Sequence, residues 1–311
     1  MIRIDRVDLG IISEEYYQYL YKWLFEEETF DKLKDSFCPP TDDAQLIRGY
    51  YFICEKMENA LKKRSFVLAS PSKLESWMLV KRHKGKHIES FVSLMTKLYE
   101  KFFQENIRKN QNVGYWLIDR LKIRVCPYCN RNYIFTANAS GIPKVRAQFD
   151  HYLPKKKFPM FALCFYNLIP SCPVCNKLKG EQLISFNPYQ EGFPTNQKFI
   201  LSKGESDLSW VHPTSELNVS LVNSDDNLNK KQFLLEQLYQ QHADIAKDIV
   251  MKAQAYNDNY YDGIIQSFQG AGYTKEYINN LIWGTYTNDS QLDKRPLSKF
   301  TKDILEQIGI I

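Results

Sequence analysis

Residues 149–180 read FDHYLPKKKFPMFALCFYNLIPSCPVCNKLKG. An acid and a histidine, Asp150 and His151, stand together, and three lysines, Lys155, Lys156 and Lys157, follow almost at once. The stretch closes on a C-x-x-C pair, Cys172 and Cys175, and a matching pair, Cys126 and Cys129 in CPYC, lies upstream. A two-residue gap lets both sulfurs of a tight turn point at one tetrahedral ion, so two such pairs predict a structural zinc held by four thiolates. Zinc there would join two remote pieces of chain and stabilise a module too small to hold itself together. A redox C-x-x-C needs no second copy, and iron–sulfur clusters use other spacings. A four-thiolate ion has no open position for chemistry, so reactive groups are sought between the pairs.

The rest of the composition narrows the class. The chain has 311 residues, ample for a buried core, and 44% of them are hydrophobic, which argues against disorder. Seven cysteines, with Cys38, Cys54 and Cys164 scattered outside the pairs, fit a reducing compartment better than a disulfide framework. No apolar run approaches the roughly 20 residues that span a bilayer. MIRIDRVDLG at the N-terminus lacks the basic-then-apolar order of a signal peptide, so a cytoplasmic protein without a membrane partner is expected. Net charge is only +5, but Arg120–Gly180 holds eleven Lys or Arg and one acid, Asp150, leaving that segment at +10 and the remainder at −5. A field of that sign suits a polyanion.

Periodicity predicts an α+β chain in three parts. Residues 1–120 read as helical: ISEEYYQYLYKWLFEEETFDKLKDSF carries apolar groups at three- and four-residue spacing, and Pro39 and Pro40 end the run. Thr41 or Asp42 is the expected cap of the next helix, and Pro71 the expected first residue of a third. HIESFVSLMTKLYEKFFQENIRK is a fourth, its aromatic stripe read as core. Residues 121–190 form a compact module in which YIFTANASGIPKVRAQFDHYL makes two short strands around an Asn-Ala-Ser-Gly turn. Residues 191–311 are mostly helical, with a strand at SELNVSLVNS and one long helical pattern from 226 to 268. His83, His87, His212 and His242 have no companion pattern and read as surface or packing residues, and Cys164 reads as core.

FDHYLPK followed by NLIPSCPVCNKLKG resembles the HNH endonucleases, with their ββα-metal (His-Me finger) core, over Val125–Gly180. The chemistry suits those residue types. Phosphodiester hydrolysis needs an activated water, charge neutralisation at the phosphate and help for the leaving oxygen. A neutral histidine can take the water's proton, a hard divalent cation on oxygen ligands can do the rest, and lysines hold the backbone. The resemblance implies that His151 is the general base and that Asp150 is a ligand of a catalytic Mg²⁺ or Mn²⁺. It further implies that Asn167 orients the histidine and that Asn176 is a second cation ligand, standing where the family name expects histidine. Lys155, Lys156, Lys157, Lys177 and Lys179 are the expected nucleic-acid contacts, Arg131 and Tyr133 weaker ones, and DNA is the expected polymer. The departure at Asn176 leaves a catalytically inactive, zinc-stabilised nucleic-acid-binding module as the alternative. A compact unit of this kind between helical flanks is also similar to the nuclease subunits of Septu-type bacterial anti-phage systems, which implies an AAA- or SMC-like ATPase partner. The chain itself has no G-x-x-x-x-G-K-[ST]. One such core cuts one strand at a time, so a double-strand break would call for a homo-oligomer or two nicks.

Overall fold

Phe91, Leu94, Met95, Leu98 and Phe102 recur at three- and four-residue spacing, and all are buried on one stripe of the helix Lys86–Gln104. The computed structural model that shows this describes residues 2–78, 86–108, 111–139, 142–192, 197–202, 211–222, 231–256 and 258–311. His83, the Ser140–Gly141 tip of the expected turn and the start of the expected helix at 226 lie outside the described residues. The protein combines helices with small antiparallel sheets, each of two strands among the described residues. Among those residues no helix is long and apolar enough to cross a membrane.

The chain divides into two units. One comprises Ile4–Ile123 and Ile134–Gln190, so the N-terminal helices and the Asp150–His151 segment share a unit. Its helices are α1 (Leu9–Tyr21), α2 (Thr29–Ser36), α3 (Ala44–Leu61), α4 (Arg64–Val67), α5 (Pro71–Met78), α6 (Lys86–Gln104), α7 (Val113–Leu121) and α8 (Pro173–Lys179). Its strands are β1 (Asn106–Arg108), β2 (Gln111–Asn112), β3 (Ala137–Ala139), β4 (Ile142–Val145), β5 (Gln148–His151) and β6 (Leu168–Ser171). Tyr16 of α1 is fully buried, sets its ring 5.5 Å from Phe102 and 5.4 Å from Phe165, and donates from its hydroxyl to Leu163 O at 3.0 Å.

Three local expectations are corrected. The first helical run is interrupted by a π-helical turn at Lys22–Glu26 and by Glu28 in the left-handed region at φ 56°; the wide turn buries Trp23 and Leu24. The cap of α3 is Asp43, which accepts from the Gln45 and Leu46 amides, while Thr41 Oγ1 accepts from the Asp43 amide. The fourth helix stops at Gln104, and Asn106–Arg108 turns into a strand.

The other unit comprises Met1–Arg3, Arg124–Tyr133 and Glu191–Ile311. It holds β7 (Lys198–Ser202), β8 (Asn218–Val222), α9 (Leu235–Gln240), α10 (Ala243–Ala255), α11 (Asp258–Gly270), α12 (Lys275–Trp283) and α13 (Ser298–Gln307). The single long helical pattern is thus broken into α9, α10 and α11. Both edges of the β7–β8 hairpin meet glutamine or carboxylate side chains. On β7, the Phe199 amide donates to Asp303 and the Leu201 amide to Gln307; on β8, the Val219 amide donates to Gln240 and the Leu221 amide to Glu236. In the same unit the CPYC turn is anchored by Asn130, at φ 51° and fully buried. Its side chain donates to Leu292 O at 2.7 Å and accepts from the Lys299 amide at 3.0 Å.

Candidate active site around Asp150 and His151

β5 and β6 pair antiparallel, with Gln148 opposite Ser171, Asp150 opposite Ile169 and His151 opposite Leu168. Side chains alternate along a strand, so Gln148 and Asp150 share one face of β5 while Phe149 and His151 share the other. Pro173 starts α8 directly after β6, because its missing amide is needed by no helical bond there, and Gly180 at φ 50° ends it. The local order is strand, strand, helix, and α8 packs on the Asp150 face. Asn176 Nδ2 donates to Gln148 Oε1 at 2.7 Å, and one turn later Lys179 reaches Asp150.

Lys179 is fully buried, and its ammonium lies 3.2 Å from each oxygen of the equally buried Asp150 carboxylate and 2.6 Å from His151 O. This corrects its assignment to the phosphate-facing lysines: a carboxylate removed from water demands a cation, and Lys179 supplies it. Burial pulls the Lys179 pKa down, and Asp150 opposes that. Asn176 is half-buried on the same helix.

On the other face, His151 is 7% exposed. Its Nε2 lies 3.1 Å from Ala162 O. A carbonyl accepts only, so Nε2 carries the proton and Nδ1 the lone pair. Burial, then the positive charge of Lys155, pushes the His151 pKa down to about 3, so the ring is neutral at pH 7. The Tyr99 ring of α6 meets the imidazole in a T-shaped contact, with centroids 4.5 Å apart.

Asn167 is fully buried, but its bonds go to the loop after β5 rather than to the imidazole. Its Oδ1 accepts from the Leu153 amide at 2.7 Å, and its Nδ2 donates to Leu153 O at 3.2 Å and Phe161 O at 2.9 Å. Both amide protons are used, so the expected direct bond to the histidine is replaced by an indirect one: Asn167 fixes the loop that leads to Ala162, and Ala162 holds the ring.

The remaining basic candidates divide. Lys156 is exposed and ion-paired to Glu181 at 2.8 Å; Lys157 donates to Glu181 O at 2.6 Å; Lys177 is exposed. Lys155 is partly buried, with its ammonium 4.9 Å from the Tyr99 ring centroid and 4.0 Å from Glu100. Arg131 belongs to the other unit, where it donates to His242 Nε2 at 2.9 Å and lies over the Tyr239 ring. Its guanidinium is thereby held among unit neighbours instead of standing free for phosphate. Tyr133 is 53% exposed.

Cys126, Cys129, Cys172 and Cys175 are all buried, and their sulfurs lie within 4.8 Å of one another. A cluster of four cysteines could hold a metal ion such as zinc. Amide donors at two sulfurs suit thiolates: Arg131 N donates to Cys129 Sγ and Cys175 N to Cys172 Sγ, each at 3.4 Å. Cys164 is fully buried and its thiol is pushed well above the usual range by that burial.

Sequence reasoning missed three groups here: Tyr99, Gln148 and the Ala162 carbonyl. Tyr99 sits on a stripe whose spacing signals only a packed face, and a carbonyl has no sequence signature at all. Comparison with protein-family models, curated proteins and solved structures finds no match for this chain.

Proposed function

We propose that the protein is a metal-dependent endonuclease of the HNH type, hydrolysing phosphodiester bonds in nucleic acid. The observation that carries this reading is the imidazole of His151: neutral, held through Nε2–H by Ala162 O, and thus left with Nδ1 as a base. Asp150 and Asn176 offer oxygen donors from β5 and α8, a set that suits a hard divalent cation such as Mg²⁺ or Mn²⁺. When bound, such an ion supplies charge neutralisation at the phosphate and help for the leaving oxygen. Asp150 would share its charge between that ion and Lys179. Nδ1 of His151 takes the proton of the attacking water, and Ala162 O stabilises the imidazolium that forms. Exposed Lys156 and Lys177, with half-buried Lys157, would hold the backbone in this reading. Zinc on the four cysteines is scaffold in this reading.

DNA is the polymer we favour, in a cytoplasmic anti-phage role beside an AAA- or SMC-like ATPase; this extension rests on the sequence resemblance alone. A binding-only module is the second reading. It is favoured by the burial of His151 and by the Lys179 ammonium already neutralising Asp150.

Supercoiled plasmid nicking separates the two. Wild type and His151→Ala are compared with Mg²⁺, with Mn²⁺ and with EDTA, zinc content being checked in both. Cleavage that needs the metal and falls about 10²–10⁴-fold in the variant supports the nuclease. Salt-sensitive DNA binding without any cleavage supports the binding module. Equal cutting by both proteins rejects the site.

A further inference from the structure

We infer that Tyr99 is a positioning residue for the His151 base, acting through the imidazole and not on substrate. The inference rests on the reading of His151 as base and adds a residue from outside the segment that carries the resemblance.

Two adjacent contacts lock α6 onto the His151 face of β5. Tyr99 meets His151 at 4.5 Å between ring centroids, and Phe103 meets Phe149 at 5.0 Å. Four residues of helix rise about 6 Å and two residues of strand about 6.6 Å, so the two elements stay in step over this span. The Tyr99–His151 rings are T-shaped, at 68°. That geometry sets a positive ring edge against a negative ring face and resists rotation of either ring.

Rotation is what the base must avoid. Turning the imidazole by half a turn about its bond to Cβ exchanges Nδ1 with a carbon and takes Nε2 away from Ala162. One neutral hydrogen bond, to Ala162 O at 3.1 Å, is a weak restraint by itself. The Tyr99 ring supplies a second restraint, so two neighbours fix one orientation. The same ring lies 4.9 Å from the Lys155 ammonium, which ties the first lysine of the run to the base. Gln148, Asn176 and Lys179 are all engaged on the opposite face of β5, so Tyr99 is the side chain of α6 on which the orientation of the base turns.

The test compares Tyr99→Phe, which keeps the ring, with Tyr99→Met, which fills the volume without one. Tyr99→Leu replaces the latter should Met not fold. Each full-length protein is checked for zinc and cooperative unfolding. The imidazole nitrogens of His151 are then read by ¹⁵N NMR, and kcat and KM are measured separately on a nicking substrate. Tyr99→Phe is expected to keep the Nε2–H tautomer and the wild-type rate. Tyr99→Met is expected to mix the tautomers and to lower kcat about 10²-fold with KM little changed, as misplacement of a reacting group does. A single Nε2–H tautomer with unchanged kcat in Tyr99→Met overturns the inference, as does a Tyr99→Phe variant as impaired as Tyr99→Met. If no form of the protein cuts nucleic acid, the nuclease reading fails by itself, and the tautomer comparison still decides the role of Tyr99.

Discussion

One ammonium and one carboxylate, both cut off from water, set the character of the candidate site. Removing one member of a buried pair leaves the other uncompensated and typically costs about 3–5 kcal/mol. Lys179→Met is therefore expected to lose stability of that order in urea unfolding, and Asp150→Asn/Lys179→Met to recover much of it, a non-additivity that a double-mutant cycle reads directly. Mn²⁺ is expected to stabilise Lys179→Met more than wild type, because the ion then no longer competes with the Lys179 ammonium for the carboxylate. His151 makes a second prediction, in pH. Its folded pKa of about 3 lies below the unfolded value of 6.5, so an unfolded chain takes up a proton that the folded one refuses. Stability is full above pH 6.5 and falls as pH drops from there toward 3. His151→Gln removes that share of the slope in a series of melts at stepped pH. At this scale the order Asp-His, then Asn, then C-x-x-C-Asn is legible in the sequence, and the fold brings Asn176 to the face of β5 that carries Gln148 and Asp150. It does not disclose which lysine goes inside. Lys155, Lys156, Lys157, Lys177 and Lys179 look alike in a basic run, and only the fold brings Asp150 to the last of them.

A two-stranded hairpin is marginal by itself because each strand has an open edge. In β7–β8 the edge amides are taken up by side chains of α9 and α13. Gln307 bonds Leu201 twice, accepting from its amide and donating to its carbonyl, each at 2.8 Å, and Gln240 accepts from the Val219 amide while donating to Leu217 O. Gln307→Leu strands the Leu201 amide in a buried place. It is expected to cost about 1–3 kcal/mol in chemical denaturation, and Gln240→Leu a similar amount. The exposed Gln237 on α9 would not respond in this way. Periodicity made the helices legible and the Val-rich run made β8 legible. The edge closure was hidden, since a glutamine on a helix reads as solvated until its strand is known. The π-helical turn at Lys22–Glu26 was hidden for another reason: no Gly or Pro interrupts the pattern there, and the break follows from the burial of Trp23 and its bond to Glu105. FDH was legible as a strand, but the run read as two strands from YIFT to FDHYL is divided: β3 pairs with β4 upstream, and FDH in β5 pairs with LIPS in β6.

Across the whole molecule, the seven cysteines fall into three environments that thiol chemistry can count. Four form the buried cluster, Cys54 and Cys164 are buried without it, and Cys38 is half-buried. Burial raises the Cys54 thiol to about 11 and the Cys164 thiol further still, so neither offers much thiolate at pH 8. A metal on the cluster would hold its sulfurs as thiolates that a reagent reaches only slowly. The purified protein is therefore expected to carry one zinc per chain and to show one readily modified thiol, Cys38. A strong chelator should release the metal, add four reactive thiols and lower the melting temperature, because metal binding to the folded state alone is folding free energy. Cys54 and Cys164 should respond only on unfolding. Cys38→Ser separates the classes: it should abolish the early reaction and leave the chelator-dependent four unchanged. A full complement of fast thiols in the untreated protein, or no metal released from it, would remove the zinc scaffold from the reading.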